Sequence, residues 1–269
     1  MGDNPAWSWH FEPTAIPDLV STSPLDDVTP EWACSGGSGR GIKVAVIDSG
    51  IDAMHPAVQS VDGYAAIVKT GSDIAVDETP HDDAYGHGTA CAGIIRAAAP
   101  ECELFSVRAL GQDLSGDGRA FVAALRWAIE NGMKVCNLSL GTTKNEYFAS
   151  LHQLTDLAYY RGVMIVAAAN NLPVVSYPSA NASVFSVASH AGKDGILFNP
   201  NHPVEFGAPG INVRVAWRGG GWVTATGNSF AAPYLTGMIA RILSKRPDLT
   251  VFQLKTVLRA LARNMKRDG

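Results

Sequence analysis

Three residues of this chain have, between them, the chemistry of an activated hydroxyl nucleophile, and each stands where a regular element begins or ends. Asp48 follows the β-branched run Ile42-Lys-Val-Ala-Val-Ile47, His87 sits in Gly86-His-Gly-Thr-Ala-Cys-Ala-Gly93, and Ser229 sits in Gly227-Asn-Ser-Phe-Ala-Ala-Pro233. Taken singly, each has a plainer role: a turn residue, a structural histidine, a helix N-cap. Taken together they read differently, because a serine hydroxyl attacks a carbonyl only when a neutral imidazole takes its proton and a buried carboxylate fixes that imidazole's tautomer. The order Asp, His, Ser is one of three in which unrelated folds carry this set. The alternative elbow G-x-S-x-G, with acid and histidine after the serine, does not fit, since both partners precede Ser229.

The elements that must position these residues are legible as alternating runs. Apolar runs of the kind buried in parallel sheets fall at 42–47, 104–107, 135–140, 163–168 and 184–187. Helical spacing falls between them at 88–98, 118–131 and 147–161, then at 231–245 and 251–263, with Thr250 as an N-cap. Strands alternating with helices imply βαβ units with right-handed crossovers. The expected fold class is therefore α/β, one domain over 41–269 with a mostly parallel central sheet and helices on both faces. In such sheets functional residues lie beyond the carboxyl ends of the strands. Residues 1–40, with their prolines, tryptophans and the glycine-rich stretch 35–41, read as an irregular lead-in lying over that domain.

The bulk composition narrows the partners. With 269 residues, 46% hydrophobic and a net charge of −4, the chain can bury a large core but offers no basic face for nucleic acid. No apolar run approaches the ~18 residues of a membrane span, and the first residues lack the charged and apolar regions of a secretory signal. The expected location is cytoplasmic if the chain is complete and secreted if it is a trimmed mature form. Cys34, Cys91, Cys102 and Cys136 form no C-x-x-C pair and read as mostly buried free thiols. His81, Asp82 and Asp83 read as an acidic surface loop in preference to a metal site, and neither a cofactor nor a metal is expected.

The three segments around Asp48, His87 and Ser229, with Val46-Ile-Asp-Ser-Gly-Ile-Asp52 followed by His55-Pro56, resemble the signatures of the subtilisin family of serine proteases, and the likeness runs over roughly 41–262. It implies a subtilisin-like fold, peptide-bond hydrolysis through an acyl-enzyme, and a peptide or protein substrate. Ala167-Ala-Ala-Asn-Asn171 resembles the family's Ala-Ala-Ala-Gly-Asn, which implies Asn171 as the side-chain donor of the oxyanion hole beside the Ser229 N–H. Asn170 stands at the family's glycine, where it would be asked for a glycine-like backbone, which asparagine tolerates best of the other residues; its preferred reading is that of a turn residue. Leu114, Ser115 and Gly116, with Ser139, Leu140 and Gly141, resemble the two strands that flank an extended substrate. Ser176 matches the floor of the pocket before the cut bond, and Gly118 a position whose lack of a side chain would open a further pocket. Cys91 resembles a free cysteine that packs beneath the triad in the proteinase K and thermitase branches. The run Ile94 to Glu101 lacks the longer loop in which secreted members ligate calcium. A peptidase that trims or cyclises one precursor, and a peptide-binding module without activity, are the alternatives. Loss of activity is expected where His87 protonates, near pH ~6.5 for an unperturbed imidazole.

Overall fold

The structure, a computed structural model, describes residues 28–71 and 73–265. The reading of residues 1–27 as lead-in lies outside them. From residue 28 the lead-in is not wholly irregular: Pro30–Cys34 forms a short helix, α1, whose start is fixed by a proline in its first turn and by Thr29 Oγ1 accepting from the Trp32 N–H at 3.1 Å.

The chain then runs β1 (Lys43–Asp48), β2 (Gly63–Thr70), β3 (Asp73–Asp77), α2 (His87–Ala98), β4 (Glu103–Arg108), α3 (Gly118–Glu130) and β5 (Val135–Leu138). After a 3₁₀ turn at Asn145–Tyr147 come α4 (Phe148–Tyr160), β6 (Met164–Ala168), β7 (Phe185–His190), β8 (Leu197–Phe198) and β9 (Phe206–Pro209). The hairpin β10 (Val213–Trp217) and β11 (Gly221–Ala225) leads into α5 (Asn228–Leu243) and α6 (Val251–Leu261). Every expected strand and helix is present to within about a turn. The strands that composition did not announce are β2, β3 and β8 to β11. β3 and β11 are almost wholly exposed, so they lack the continuous apolar run that marks an interior strand.

Strand order in the main sheet is β3-β2-β4-β1-β5-β6-β7-β9-β8. The stretch from β2 to β9 is parallel throughout, and only β3 and β8 at the edges run antiparallel. The two-residue period of β1 explains the layers. Val44 and Val46 point to a core shared with Ala92 and Ile95 of α2, Leu235 and Ile239 of α5, and Leu254 of α6. Ala45 and Ile47 point the other way, to Leu125 of α3 and Leu151 of α4. Helices on both faces follow, as expected. The Thr250 cap is real and forms a reciprocal box with Gln253. All four cysteines are free, and burial pushes the Cys102 and Cys136 thiols up to about 11 and about 12.

Because the central strands are parallel, their carboxyl ends share one edge. Asp48 closes β1, the loop 109–117 leaves β4, Ser139 follows β5, and Asn170 and Asn171 follow β6. The middle of α5 is tied to the sheet by a buried bond in which Thr236 Oγ1 donates to Asn137 Oδ1 of β5 at 3.0 Å.

Candidate active site

Asp48 has no solvent exposure, accepts the Ser49 N–H at 2.8 Å, and places both carboxylate oxygens 2.9 Å from His87 Nδ1. His87 is the first residue of α2, and the helix can come this close because Gly88 has no side chain: a Cβ there would lie 2.0 Å from the Gly50 carbonyl oxygen. With Nδ1–H committed to the carboxylate, Nε2 keeps its lone pair for the cleft. Burial favours the neutral ring, yet the Asp48 charge, the neighbouring Cys91 and the hydrogen bonds to both together outweigh it and hold the His87 pKa well above the ordinary imidazole value. Any acid limb governed by this ring therefore lies higher than the ~6.5 expected of a free imidazole.

Asp83 corrects the sequence reading of an acidic surface loop. It is buried and accepts from Ser49 Oγ at 2.7 Å, from the Tyr85, Gly86 and Thr89 N–H groups at 2.9, 2.7 and 2.8 Å, and from Thr89 Oγ1 at 2.6 Å. A carboxylate placed here satisfies the N–H groups that the first turn of a helix leaves without partners, and so braces α2 where His87 begins it. Its position just ahead of Gly86-His87 was the signal available in sequence. Asp83→Ala leaves these donors buried and unpaired, and is expected to cost about 3 kcal/mol of stability, read from a denaturant melt, with Asp83→Asn intermediate.

Ser229 lies in the first turn of α5, where backbone N–H groups have no acceptor within the helix. Its carbonyl is anchored by Ser139 Oγ at 2.8 Å, and Asn137 Nδ2 donates in turn to Ser139 Oγ at 3.0 Å. The Asn171 carboxamide oxygen accepts the Asn228 N–H at 2.9 Å, which leaves Nδ2 to face outward. A Cβ on Gly227 would stand 3.3 Å from Ser229 Oγ and 3.6 Å from Asn171 Nδ2, so hydroxyl and amide border one small space. Asn170 does not take the left-handed backbone expected of it. Its Oδ1 accepts the Leu172 N–H at 2.8 Å, so its side chain closes the turn without glycine's freedom.

One cleft of about 360 Å³ is lined by His87, Ser229 and Asn171 together with Leu114, Gly116, Gly118, Ser139, Leu140 and Gly141. Larger cavities of about 990 and 1030 Å³ touch none of the first three, so size alone does not mark the site. The segments 114–116 and 139–141 are loops leaving β4 and β5, and Leu114 holds a left-handed φ of 58°. Ser115 is not part of the lining, its N–H and hydroxyl being turned to Asp113 at 3.0 and 2.6 Å. Ser176 stands one layer back. It is buried, shares a hydrogen bond with Ser179, and its Oγ lies 3.7 Å from where a Gly141 Cβ would be. At Gly118 the expected opening is filled, because the Tyr147 ring would lie 2.2 Å from a Cβ at that position. Cys91 packs beneath, with Sγ 3.3 Å from Ser139 Oγ and 3.8 Å from Asp48 Oδ2, and burial raises its pKa so that it stays a thiol.

Residues 39–269 match the model of the Subtilase family. The chain is 35% identical to the minor extracellular protease Epr of Bacillus subtilis (strain 168) over 84% of its own length, but spans only 35% of Epr. It is 32% identical to Subtilisin Savinase of Lederbergia lenta, over 86% of both chains. Among solved structures, a cold adapted subtilisin-like serine proteinase superposes with a TM-score of 0.69 at 25% identity, covering 85% of this chain and 86% of that one. Sphericase gives 0.67 at 26% identity, over 81% and 82%.

Proposed function

The chain belongs to the subtilase family of serine endopeptidases, and from that premise we propose that Asp48, His87 and Ser229 are its triad and that Asn171 completes its oxyanion hole. The observation that carries this reading is the pair of 2.9 Å contacts from Asp48 to His87 Nδ1 at the wall of a cleft onto which Ser229 and Asn171 also open. His87 Nε2 takes the proton of Ser229 Oγ as the oxygen adds to the substrate carbonyl, and Asp48 stabilises the imidazolium that forms. The negative charge on the carbonyl oxygen is met by Asn171 Nδ2 and the Ser229 N–H, donors fixed in advance. His87 returns the proton to the leaving amine, and water then repeats the sequence on the acyl-enzyme. Asn171→Ala is expected to lower kcat by about 10²–10³-fold, the figure for the same donor in subtilisin, with KM little changed because the bond strengthens only in the transition state. Asn170→Ala should be far milder, and steady-state kinetics of the two variants distinguishes the donor from the turn residue.

The substrate is an extended peptide lying between the loops 114–116 and 139–141. The pocket before the cut bond is walled by Gly141 with Ser176 behind it, and Leu172 beside Asn171 is exposed and carries no carboxylate to meet a basic side chain. Cleavage after medium-sized apolar residues, with Lys and Arg disfavoured, follows. A diverse peptide library read by mass spectrometry tests both levels. Internal cuts after Leu or Met are expected, a preference for Arg would refute the pocket assignment alone, and a library left intact would refute the endopeptidase. Among the described residues no helix is long and apolar enough to cross a membrane, and the extracellular name of the Epr relative favours the secreted setting.

A further inference from the structure

Asn228, between the helix-capping Gly227 and Ser229, makes a set of contacts that the mechanism above does not use. Its Oδ1 accepts from both the N–H and the Oγ of Ser189 on β7, at 2.8 and 2.9 Å. Its Nδ2 donates to the carbonyls of Ala169 and Asn170, at 3.2 and 3.1 Å, and its own N–H holds Asn171 Oδ1 at 2.9 Å. One side chain thus ties the start of α5 to the end of β7 and to the turn that follows β6. The two proposed oxyanion donors sit on opposite sides of this knot: the Ser229 N–H is the next residue along α5, and Asn171 is the next residue along the turn. A carboxamide suits the place because only it offers two N–H donors to two carbonyls and an oxygen to two further donors at once.

We infer that Asn228 is a positioning residue that sets the spacing between the Ser229 N–H and Asn171 Nδ2 and holds the Asn171 carboxamide with its oxygen inward. This rests on the assignment of Asn171 as an oxyanion donor. Misplacement of such a donor by about 1 Å is enough to cost about 10²-fold. The experiment is a double-mutant cycle in kcat and KM on the full chain. Asn228→Ala alone is expected to lower kcat by about 10–100-fold with KM unchanged, and to cost less than about threefold more in an Asn171→Ala background, since both changes act through one donor. Asn228→Asp keeps the acceptor for Ser189 but loses the donors to Ala169 and Asn170. The new carboxylate oxygen faces those two carbonyls, so kcat is expected to fall at least as far as in the alanine variant, and a native circular-dichroism spectrum separates positioning from folding. Equal losses in both backgrounds, a change confined to KM, or parental turnover in Asn228→Asp would each overturn the inference. If Asn171→Ala alone has no effect, the oxyanion assignment itself has failed, and the cycle shows that before Asn228 is considered.

Discussion

Alanine in place of Ser229 is expected to leave a folded protein whose kcat has fallen by about 10⁶-fold, the scale known for the nucleophile of subtilisin itself. The fold is expected to survive because α5 is held at this point by backbone and neighbours. The Ser229 carbonyl is bound by Ser139 Oγ, and Thr236 locks the helix to Asn137. What goes is the one oxygen that attacks the substrate. The remainder of the cleft still binds peptide and still offers donors to a developing oxyanion, so a residual rate above that of water is expected and KM should move little. Steady-state kinetics with a peptide substrate, beside a thermal melt, reads both halves of the expectation.

The second large effect is that of Asp48→Asn, expected to lower kcat by about 10⁴-fold. The amide can still accept the Ser49 N–H, so the site keeps its shape, but it no longer holds His87 with the proton on Nδ1. A second signature separates this from simple damage. In the parent, burial opposes the charged ring and the Asp48 charge, together with its hydrogen bond and the neighbouring Cys91, overcomes it, so neutral imidazole predominates only above a raised pKa. Removing the carboxylate charge takes away the largest raising influence and leaves the burial that lowers. The acid limb of the rate profile therefore moves toward lower pH while the plateau falls. A variant with a lowered plateau and an unmoved limb would show that Asp48 does not set the charge state of His87.

Much of this was legible in the chain because the interior of a parallel sheet writes a strong pattern. Ile42 to Ile47 and Val163 to Ala168 are continuous apolar runs, and the residues that matter stand at their ends. The misreadings at Asp83 and Gly118 share a physical cause, which is that a group deciding the residue's surroundings comes from another segment of the fold. Asp83 looks like surface acid until Ser49 and the first turn of α2 are folded onto it. Gly118 looks like an opening until the Tyr147 ring is placed against it. Asn170 reads in sequence as a turn residue, and its side chain closes that turn on the N–H two residues on. The contacts of Asn228 were invisible because its partners are distant in sequence, Ser189 on β7 lying beyond β8 to β11 and Ala169 beyond β7 to β11.

The most direct measurement is covalent labelling of the native protein with a fluorophosphonate at neutral to mildly alkaline pH, followed by peptide mapping. An activated hydroxyl attacks phosphorus and keeps it, whereas ordinary serines on the same chain do not react. The expected result is one adduct per chain, on Ser229, formed far more slowly in Asp48→Asn and absent in Ser229→Ala. An adduct on another serine, or no adduct on a protein that still cleaves peptides, would contradict the assignment.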